Sequence, residues 1–338
     1  MAKRGGYAWR NFAKLLDLSG RSFRSAQISS AYFYNARLQW TDFSQSNLWN
    51  ADFRAVTMNN AILQGAFLEL ASFQQANLRQ TKFHGASMEK IRLEGTQMFE
   101  TKLLGVNLND GRLDGADLRR ANLAGSTLSG AQFRGAVLGK ADLRGTDLTG
   151  VQMQGADLRN AHLGGSTLLE VDLTLADLRG VQTVCPDDLY WTGIKNEIGA
   201  EVKHPSTRKK VLQKIDSRIA EIECGNTITK VILKDAICDG GKFGNVKCTF
   251  NERQEKNYFD KLVDFLAESL ACPKGNDDVA AGIAYRIHMR ALIKGASGEE
   301  ILAFRRLGAK ILDKECSGAH DLPKWLRVPI ERDLARKY

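Results

Sequence analysis

The 338-residue sequence contains no uninterrupted apolar stretch near the roughly eighteen residues that a membrane-spanning helix needs. Its first residues, MAKRGGYAWRNFAKLLDLSG, are basic but include neither a continuous apolar region nor a small-residue cleavage site. We therefore expect no secretory signal. These absences predict a cytoplasmic protein, with any membrane association arising through a larger complex.

Long runs of a single charge sign are also missing. The formal net charge is +9, and residues 1–15 supply four bases and no acid, whereas residues 16–180 carry 17 bases and 16 acids. The longest basic cluster is 208–210, so an ordinary solvated surface is favoured over a nucleic-acid interface. The alternative is that basic segments 1–15 and 203–214 contact an anionic membrane or nucleic acid.

Recognisable catalytic motifs are absent. The sequence has no phosphate-binding loop, metalloprotease motif, nucleophile elbow or dinucleotide fingerprint. The five histidines show no metal-ligand spacing, and His84 and His162 are expected to be solvated. We predict that the protein is not an enzyme and that it uses no cofactor, metal or small-molecule substrate.

All six cysteines follow residue 180, and none forms a C-x-x-C pair or stands at zinc-finger spacing from a histidine. In a reducing cytosol they would be free, buried thiols. In an exported protein, Cys272 and Cys316 would be candidates for a bridge, because each closes a predicted helix.

A five-residue pattern fills the first half of the chain. From Leu16 to Gly180 there are 33 consecutive pentapeptides without an insertion, and the third residue of each is Leu, Phe, Met or Ile. The first residue is nearly always small, the second is often Asp or Asn, and the fifth is often Gly. Period five fits neither a helix nor a plain strand, but it fits a short extended piece followed by a corner. Positions one and three would then point inward and the others outward, and stacked coils would bury what a single coil cannot.

These repeats, among them ADLRR (116–120), ANLAG (121–125) and ADLRN (156–160), resemble the pentapeptide repeat family, whose consensus is A-[DN]-L-x-x. The resemblance implies a right-handed quadrilateral β-helix with four pentapeptides per coil and about eight coils. The fold class would be a mainly β solenoid with a small α-helical C-terminal domain.

Four pentapeptides per coil would stack core residues that are twenty apart. All seven core phenylalanines then fall on two alternate ladders, which would occupy opposite faces. One ladder contains Phe23, Phe43 and Phe83, and the other contains Phe33, Phe53, Phe73 and Phe133.

Five outward positions in the first three coils carry aromatic side chains: Tyr32, Tyr34, Trp40, Trp49 and Phe67. Clustered exposed aromatics mark protein contacts, so these residues form a candidate partner surface. The alternative, which the sequence favours, is that residues 1–15 fold back over them as the cap that an open solenoid end needs.

The repeat pattern stops after Gly180. We assign residues 181–206 to a linker or C-terminal cap and residues 207–338 to a mostly helical domain. Helices are predicted over 207–223, 253–271, 277–294 and 298–314 and after Pro329, and residues 227–250 are either a hairpin turning at Gly240-Gly241 or an irregular loop. The stretch from LAESLAC to DLPKWLRVPIERDL also resembles tails that follow such repeats in some bacterial membrane-linked proteins.

A rigid rod with a helical module predicts a non-catalytic scaffold or protein-interaction module in a larger assembly, with a protein partner or self-association. Some members of the family mimic DNA, bind DNA gyrase and protect it from quinolones. That mimicry requires a strongly negative rod, so the balanced charge of residues 16–180 disfavours it.

Overall fold

The computed structural model describes residues 16–221, 228–229, 231–238, 242–243, 246–247, 255–291, 298–313, 315–319, 322 and 324–335. The predicted capping segment, residues 1–15, lies outside the described residues. The described residues form a β-helical rod and a set of helices packed against it.

Parallel β-bridges define the rod. Position two of each pentapeptide bridges the residue twenty positions later, from Asp17 with Arg37 to His162 with Gln182. One coil therefore takes four pentapeptides. Each turn falls at positions four and five, and position five has a positive φ throughout residues 20–180. Nineteen of these position-five residues are not glycine, so the corner itself does not require glycine.

The core of the rod is built from positions one and three, which are buried in every repeat from residue 36 to residue 178. Rings stack along the predicted ladders, with centroids 5.0 Å apart for Phe23–Phe43 and 4.6 Å apart for Phe53–Phe73. Phe43 and Phe53 also meet edge to face at 5.9 Å across the interior. We name the four sides of the rod, in chain order, the Leu38, Phe43, Leu48 and Phe53 faces.

The rod is interrupted after Gln182 and then resumes. Strand β1 (Leu168–Leu169) pairs in parallel with β2 (Ile228–Thr229), and Asp177 bridges Ile237. Residues 231–238 thus add to the rod, with Leu233 and Cys238 in its core. The hairpin-or-loop prediction for 227–250 was wrong for this part, because coil pairing is non-local and can continue after any insertion. An antiparallel pair, β3 (Lys242–Phe243) with β4 (Val246–Lys247), follows, and the predicted turn at Gly240-Gly241 lies outside the described residues.

The insertion forms two helices, α1 (Asp188–Glu201) and α2 (Pro205–Glu221). The sequence predicted α2 but assigned α1 to a linker or cap. Asp187 caps α1 by accepting a hydrogen bond from the Tyr190 amide at 2.8 Å. Both helices pack on the rod in a small apolar core that includes Trp191, Ile194, Ile198, Val211 and Ile215. Thus α2 packs on the rod together with α1.

The remaining helices form a bundle with its own core. They are α3 (Glu255–Asp264), which continues as a π-helix (Phe265–Ala271), then α4 (Asp277–Ala291), α5 (Gly298–Leu312), a 3₁₀ turn (Ser317–Ala319) and α6 (Lys324–Ala335). The last helix begins before Pro329 and contains it. Leu175 and Ile237 of the rod are part of the bundle core, which is separate from the core inside the rod.

No helix among the described residues is both long and apolar enough to span a membrane. Every cysteine among them is oxidised: Cys272 pairs with Cys316, and Cys185 and Cys238 are also in disulfides. The expectation of free thiols in a reducing cytosol is therefore wrong, and the bridge expected of an exported protein is present.

Candidate interaction surface and helix-covered faces

Glycine columns mark where helices lie on the rod. On the Phe43 face, a methyl group added at Gly85 or Gly125 would come within 2.2 Å or 2.3 Å of side-chain atoms of Val211 and Ile215 in α2. On the Phe53 face, a methyl at Gly95 would lie 2.0 Å from the Asp278 carbonyl oxygen. Distances this short are overlaps, so glycine at these corners allows the helices to approach. Helices thus cover the two opposite faces that carry the phenylalanine ladders.

Side chains at position four are buried where helices cover them. The prediction that this position faces solvent was wrong for His84, Leu104 and Ala124, which are fully buried on the Phe43 face. The sequence did contain a signal for this burial. Position four of adjacent coils carries the apolar residues Leu104 and Ala124, where a solvated surface would carry polar residues.

His84 belongs to an ionic cluster that holds α1 on the rod. Its Nε2 lies 3.3 Å from the Glu201 carboxylate, which also pairs with Lys82 at 3.1 Å, while Lys102 pairs with Glu197. Hydrogen bonding from His84, together with Lys82, lowers the pKa of Glu201 to about 2. Ligand atoms of His84, Glu197 and Glu201 lie within 4.8 Å of one another. The two lysine ammonium groups already neutralise both carboxylates, so the charge of this cluster does not call for a metal ion.

A second ionic group joins the bundle to the Leu38 face. Asp157 and Asp177 each pair with the arginine two residues later in their own repeat, at 2.7 and 2.6 Å. Glu300 of α5 then reaches Arg159 at 3.2 Å. Burial raises the pKa of Asp177, and the hydrogen bond from Arg179 opposes this increase. The Asp carboxylates also accept the backbone N–H of position four, which stabilises the corner of the coil.

Arg286 of α4 fixes the bundle to the rod backbone. The guanidinium is buried and donates to the carbonyl oxygens of Gly135 and Gly155 at 3.2 and 2.8 Å. It also lies 5.6 Å from the Phe304 ring centroid. Burial lowers the pKa of Arg286. No sequence pattern pointed to this residue, since its partners are main-chain atoms more than 130 positions away.

The seven core phenylalanines all lie inside the rod, where they have a structural role. Six of them are buried, and Phe23, in the first coil, is partly buried.

The five outward aromatics lie on three sides of the first coils and do not form one cluster. Trp49 and Phe67 are on adjacent coils of the Leu48 face, and Tyr32 and Tyr34 are on the Phe53 face with ring centroids 6.1 Å apart. Trp40 is at the corner that follows the Leu38 face. Tyr34 is half-buried, with the Arg54 guanidinium 5.6 Å from its ring centroid.

The other four aromatics are well exposed. Trp40 is 64% exposed, and Tyr32, Trp49 and Phe67 are 46–48% exposed. Leu70, an outward aliphatic residue nearby, is 42% exposed. The Leu48 and Phe53 faces meet at the corner formed by Trp49, Leu70 and their neighbours. We call Tyr32, Trp49, Phe67 and Leu70 the edge surface.

Trp40 and Leu70 share the backbone conformation of every position-five residue in the rod, but both carry bulky apolar side chains. Both occupy position five, with φ of +61° and +62°, a region that costs an L-residue about 1–2 kcal/mol. Leu175 has the same conformation at +58°, but its side chain is buried in the bundle core. For Trp40 and Leu70, burial offers no such compensation.

Comparison with known proteins identifies the repeat. Eight overlapping matches to the family model for pentapeptide repeats cover residues 16–182. No curated protein matches the chain.

Several solved structures are similar to the chain. HetL, a pentapeptide repeat protein involved in heterocyst differentiation regulation from the cyanobacterium Nostoc sp. strain PCC 7120, is 23% identical over 71% of this chain and 98% of its own, with a TM-score of 0.30. A trypsin-treated form of QnrB1, a plasmid-mediated fluoroquinolone resistance protein, is 20% identical over 54% of this chain and 96% of its own, with a TM-score of 0.25. Rfr23 from the cyanobacterium Cyanothece 51142 is 21% identical over 53% and 99%, with a TM-score of 0.19. Likenesses at this level assign no function.

Proposed function

We propose that this chain, which belongs to the pentapeptide repeat family, is a non-catalytic scaffold that binds a protein partner through its first three coils. Pentapeptide repeat proteins are structural and interaction modules. The observation that carries the proposal is the exposed edge surface together with Trp40, all within the first three coils. Trp and Tyr with large exposed areas are the residues most enriched at binding hot spots.

The distribution of charged groups supports a role without catalysis. Among the described residues, the clusters around Glu201 and Glu300 join helices to the rod through ion pairs. These ion pairs assign Glu201 and Glu300 a structural role in holding the helices on the rod.

Two substitutions test the surface with little risk to the fold. Ser29 and Ser87 occupy the positions equivalent to Trp49 and Phe67 one coil away, so the double variant Trp49→Ser, Phe67→Ser keeps residues that the rod already accepts. Leu189→Ser is the matched control, because Leu189 is 78% exposed but lies on α1.

The experiment is quantitative affinity capture from an extract of the source organism, followed by titration calorimetry with the purified partner. The proposal predicts a protein that the wild type and Leu189→Ser bind equally and that the double variant binds at least tenfold more weakly. Loss of binding in the control, or equal binding by all three, would contradict it.

We also propose that the rod is right-handed with about eight coils before the insertion. The family relationship supports the handedness, and 33 repeats at four per coil support the count. At a coil spacing of about 4.8 Å the repeats would span roughly 40 Å. An experimental crystal structure tests both statements.

Binding to an anionic surface is a second candidate. Lys209, Lys210 and Lys214 are exposed on α2, whose opposite side packs Val211 and Ile215 on the rod. Flotation with anionic and neutral vesicles at rising salt tests it, and equal flotation with both would exclude it. The DNA-mimic alternative gains no support, since the rod charge is balanced. A gyrase supercoiling assay with excess protein is expected to show no change.

A further inference from the structure

The oxidised cysteines lie at the connections between the rod and the helices. Cys185 comes three residues after Gln182, the last bridged residue before the chain leaves the rod for α1. Cys238 is in the coil that precedes the bundle, and it occupies position three, where the uninterrupted repeats carry Leu, Phe, Met or Ile. Both are in disulfides. A covalent link is therefore present on each side of the inserted helices.

The third site fastens the segment that touches the rod. Cys272 ends the π-helix and Cys316 precedes the 3₁₀ turn, and their Cα atoms are 4.4 Å apart across 44 positions of sequence. The intervening chain contains α4, whose Gly282 and Arg286 contact the Phe53 face. Closing this loop ties the segment that contains α4 and α5 to the end of the π-helix.

Two hydrogen bonds to the Cys272 carbonyl oxygen hold the Cys272–Cys316 site together independently of the sulfur atoms. The amide of Gly318 and the hydroxyl of Ser317 both donate to the Cys272 carbonyl oxygen, at 2.9 and 3.0 Å. Cys316 is buried in the bundle core. A catalytic or sensing disulfide needs solvent access, so this one has the character of a structural bridge.

We propose that the chain matures and acts in an oxidising compartment, where disulfides at the rod–helix connections fasten the helices in place. Disulfides of this kind persist in secreted, periplasmic or lumenal proteins and are rare in the cytosol. In forming the Cys272–Cys316 bond, each thiol loses one proton and one electron. A disulfide donor of the compartment accepts both pairs and becomes two thiols. If the proposed scaffold function also holds, the partner shares the compartment.

Thiol trapping tests the compartment. Cells of the source organism are quenched in acid, denatured and treated with N-ethylmaleimide without a reductant, and the mass of the full chain is measured. The proposal predicts no modified cysteine, whereas the same sample reduced first should gain six adducts, one for each cysteine. Modification of any cysteine in half or more of the unreduced chains would overturn it. This readout does not depend on any partner.

Limited proteolysis tests the fastening, with the cysteine-free residues 16–180 as an internal control. Treating the purified full chain with a phosphine reductant should raise cleavage within α1, α2 and α4 at least tenfold and leave 16–180 intact. The double variant Cys272→Ala, Cys316→Ala should show the increase in α4 without reductant. Unchanged cleavage of the helices after reduction confirmed by mass would refute the fastening role.

Discussion

Replacing Gly95 with alanine should release α4 from the rod, while the same change at Gly150 should not. The two glycines have nearly identical φ values, +66° and +67°. Alanine in this conformation costs about 1–2 kcal/mol at either position, offset in part by a less flexible unfolded chain. Comparing the two variants therefore cancels the backbone term.

The difference between the variants is what the new methyl group meets. At Gly95 it would be 2.0 Å from the Asp278 carbonyl oxygen and 3.2 Å from the Gly282 amide nitrogen. At Gly150 no described atom lies within 4 Å. Ordinary van der Waals contact begins at 3.4 Å, so the α4 backbone would have to move by about 1 Å or more. Overpacking of this kind costs about 1–3 kcal/mol.

Hydrogen–deuterium exchange on α4 amides is the direct assay, supported by guanidinium unfolding. Gly95→Ala should raise exchange in α4 by about tenfold or more relative to Gly150→Ala, since about 1.4 kcal/mol corresponds to a factor of ten. Equal exchange in the two variants would refute the conclusion that glycine columns exist for helix approach.

Three further changes test the contacts that hold the helices. The folded pKa of Glu201 is about 2, below its ordinary 4.5, so its contribution to folding stability is complete above pH 4.5 and is lost as the pH falls through 2. Glu201→Gln should therefore flatten the acid titration of helical circular dichroism between these pH values. A titration identical to that of the wild type would contradict the ion-pair account. Arg286→Ala should lower the unfolding free energy of the bundle by about 3 kcal/mol, and a loss below about 1 kcal/mol in guanidinium unfolding would show that its two carbonyl bonds matter little. The double variant Cys272→Ala, Cys316→Ala should lower the free energy of unfolding by about 3–4 kcal/mol, because the bridge spans 44 positions of sequence. Thermal unfolding at the wild-type temperature would contradict this.

The rod was predictable because its information is periodic. All 33 repeats carry the same five-residue pattern of small, apolar and polar positions. The twenty-residue spacing of Phe43, Leu63 and Phe83 then indicated the stacking without any knowledge of distant contacts. The bridges from residue i to residue i+20 match that spacing. Errors in single repeats would not have changed the result.

The inserted helices were harder to predict, although some of their signals were present. Trp191, Ile194 and Ile198 follow helical spacing, and Asp187 is a good capping residue, but residues 181–206 were assigned to a linker or cap because the repeat pattern stops there. The return of residues 231–238 to the rod depends on pairing across about sixty positions. No local pattern specifies such pairing.

Part of the surface was also readable in advance. The exposed aromatics could be listed from their outward positions, and the twenty-residue period also divides them among three sides of the rod, which the sequence-based prediction overlooked. Burial of His84 and Leu104 depends on α1 and α2, whose contact with the Phe43 face is tertiary. The glycines at twenty-residue spacing were the overlooked signal, because they mark where the helices approach the rod.

Hydroxyl-radical footprinting of the full chain, alone and in complex with its captured partner, tests the scaffold account most directly. In the free chain Trp40 and Trp49 should oxidise much faster than Trp191, which is 5% exposed. On binding, the account predicts strong protection of Trp49 and Phe67 and none at Leu189. Protection confined to the helices, with Trp49 and Phe67 unchanged, would contradict it.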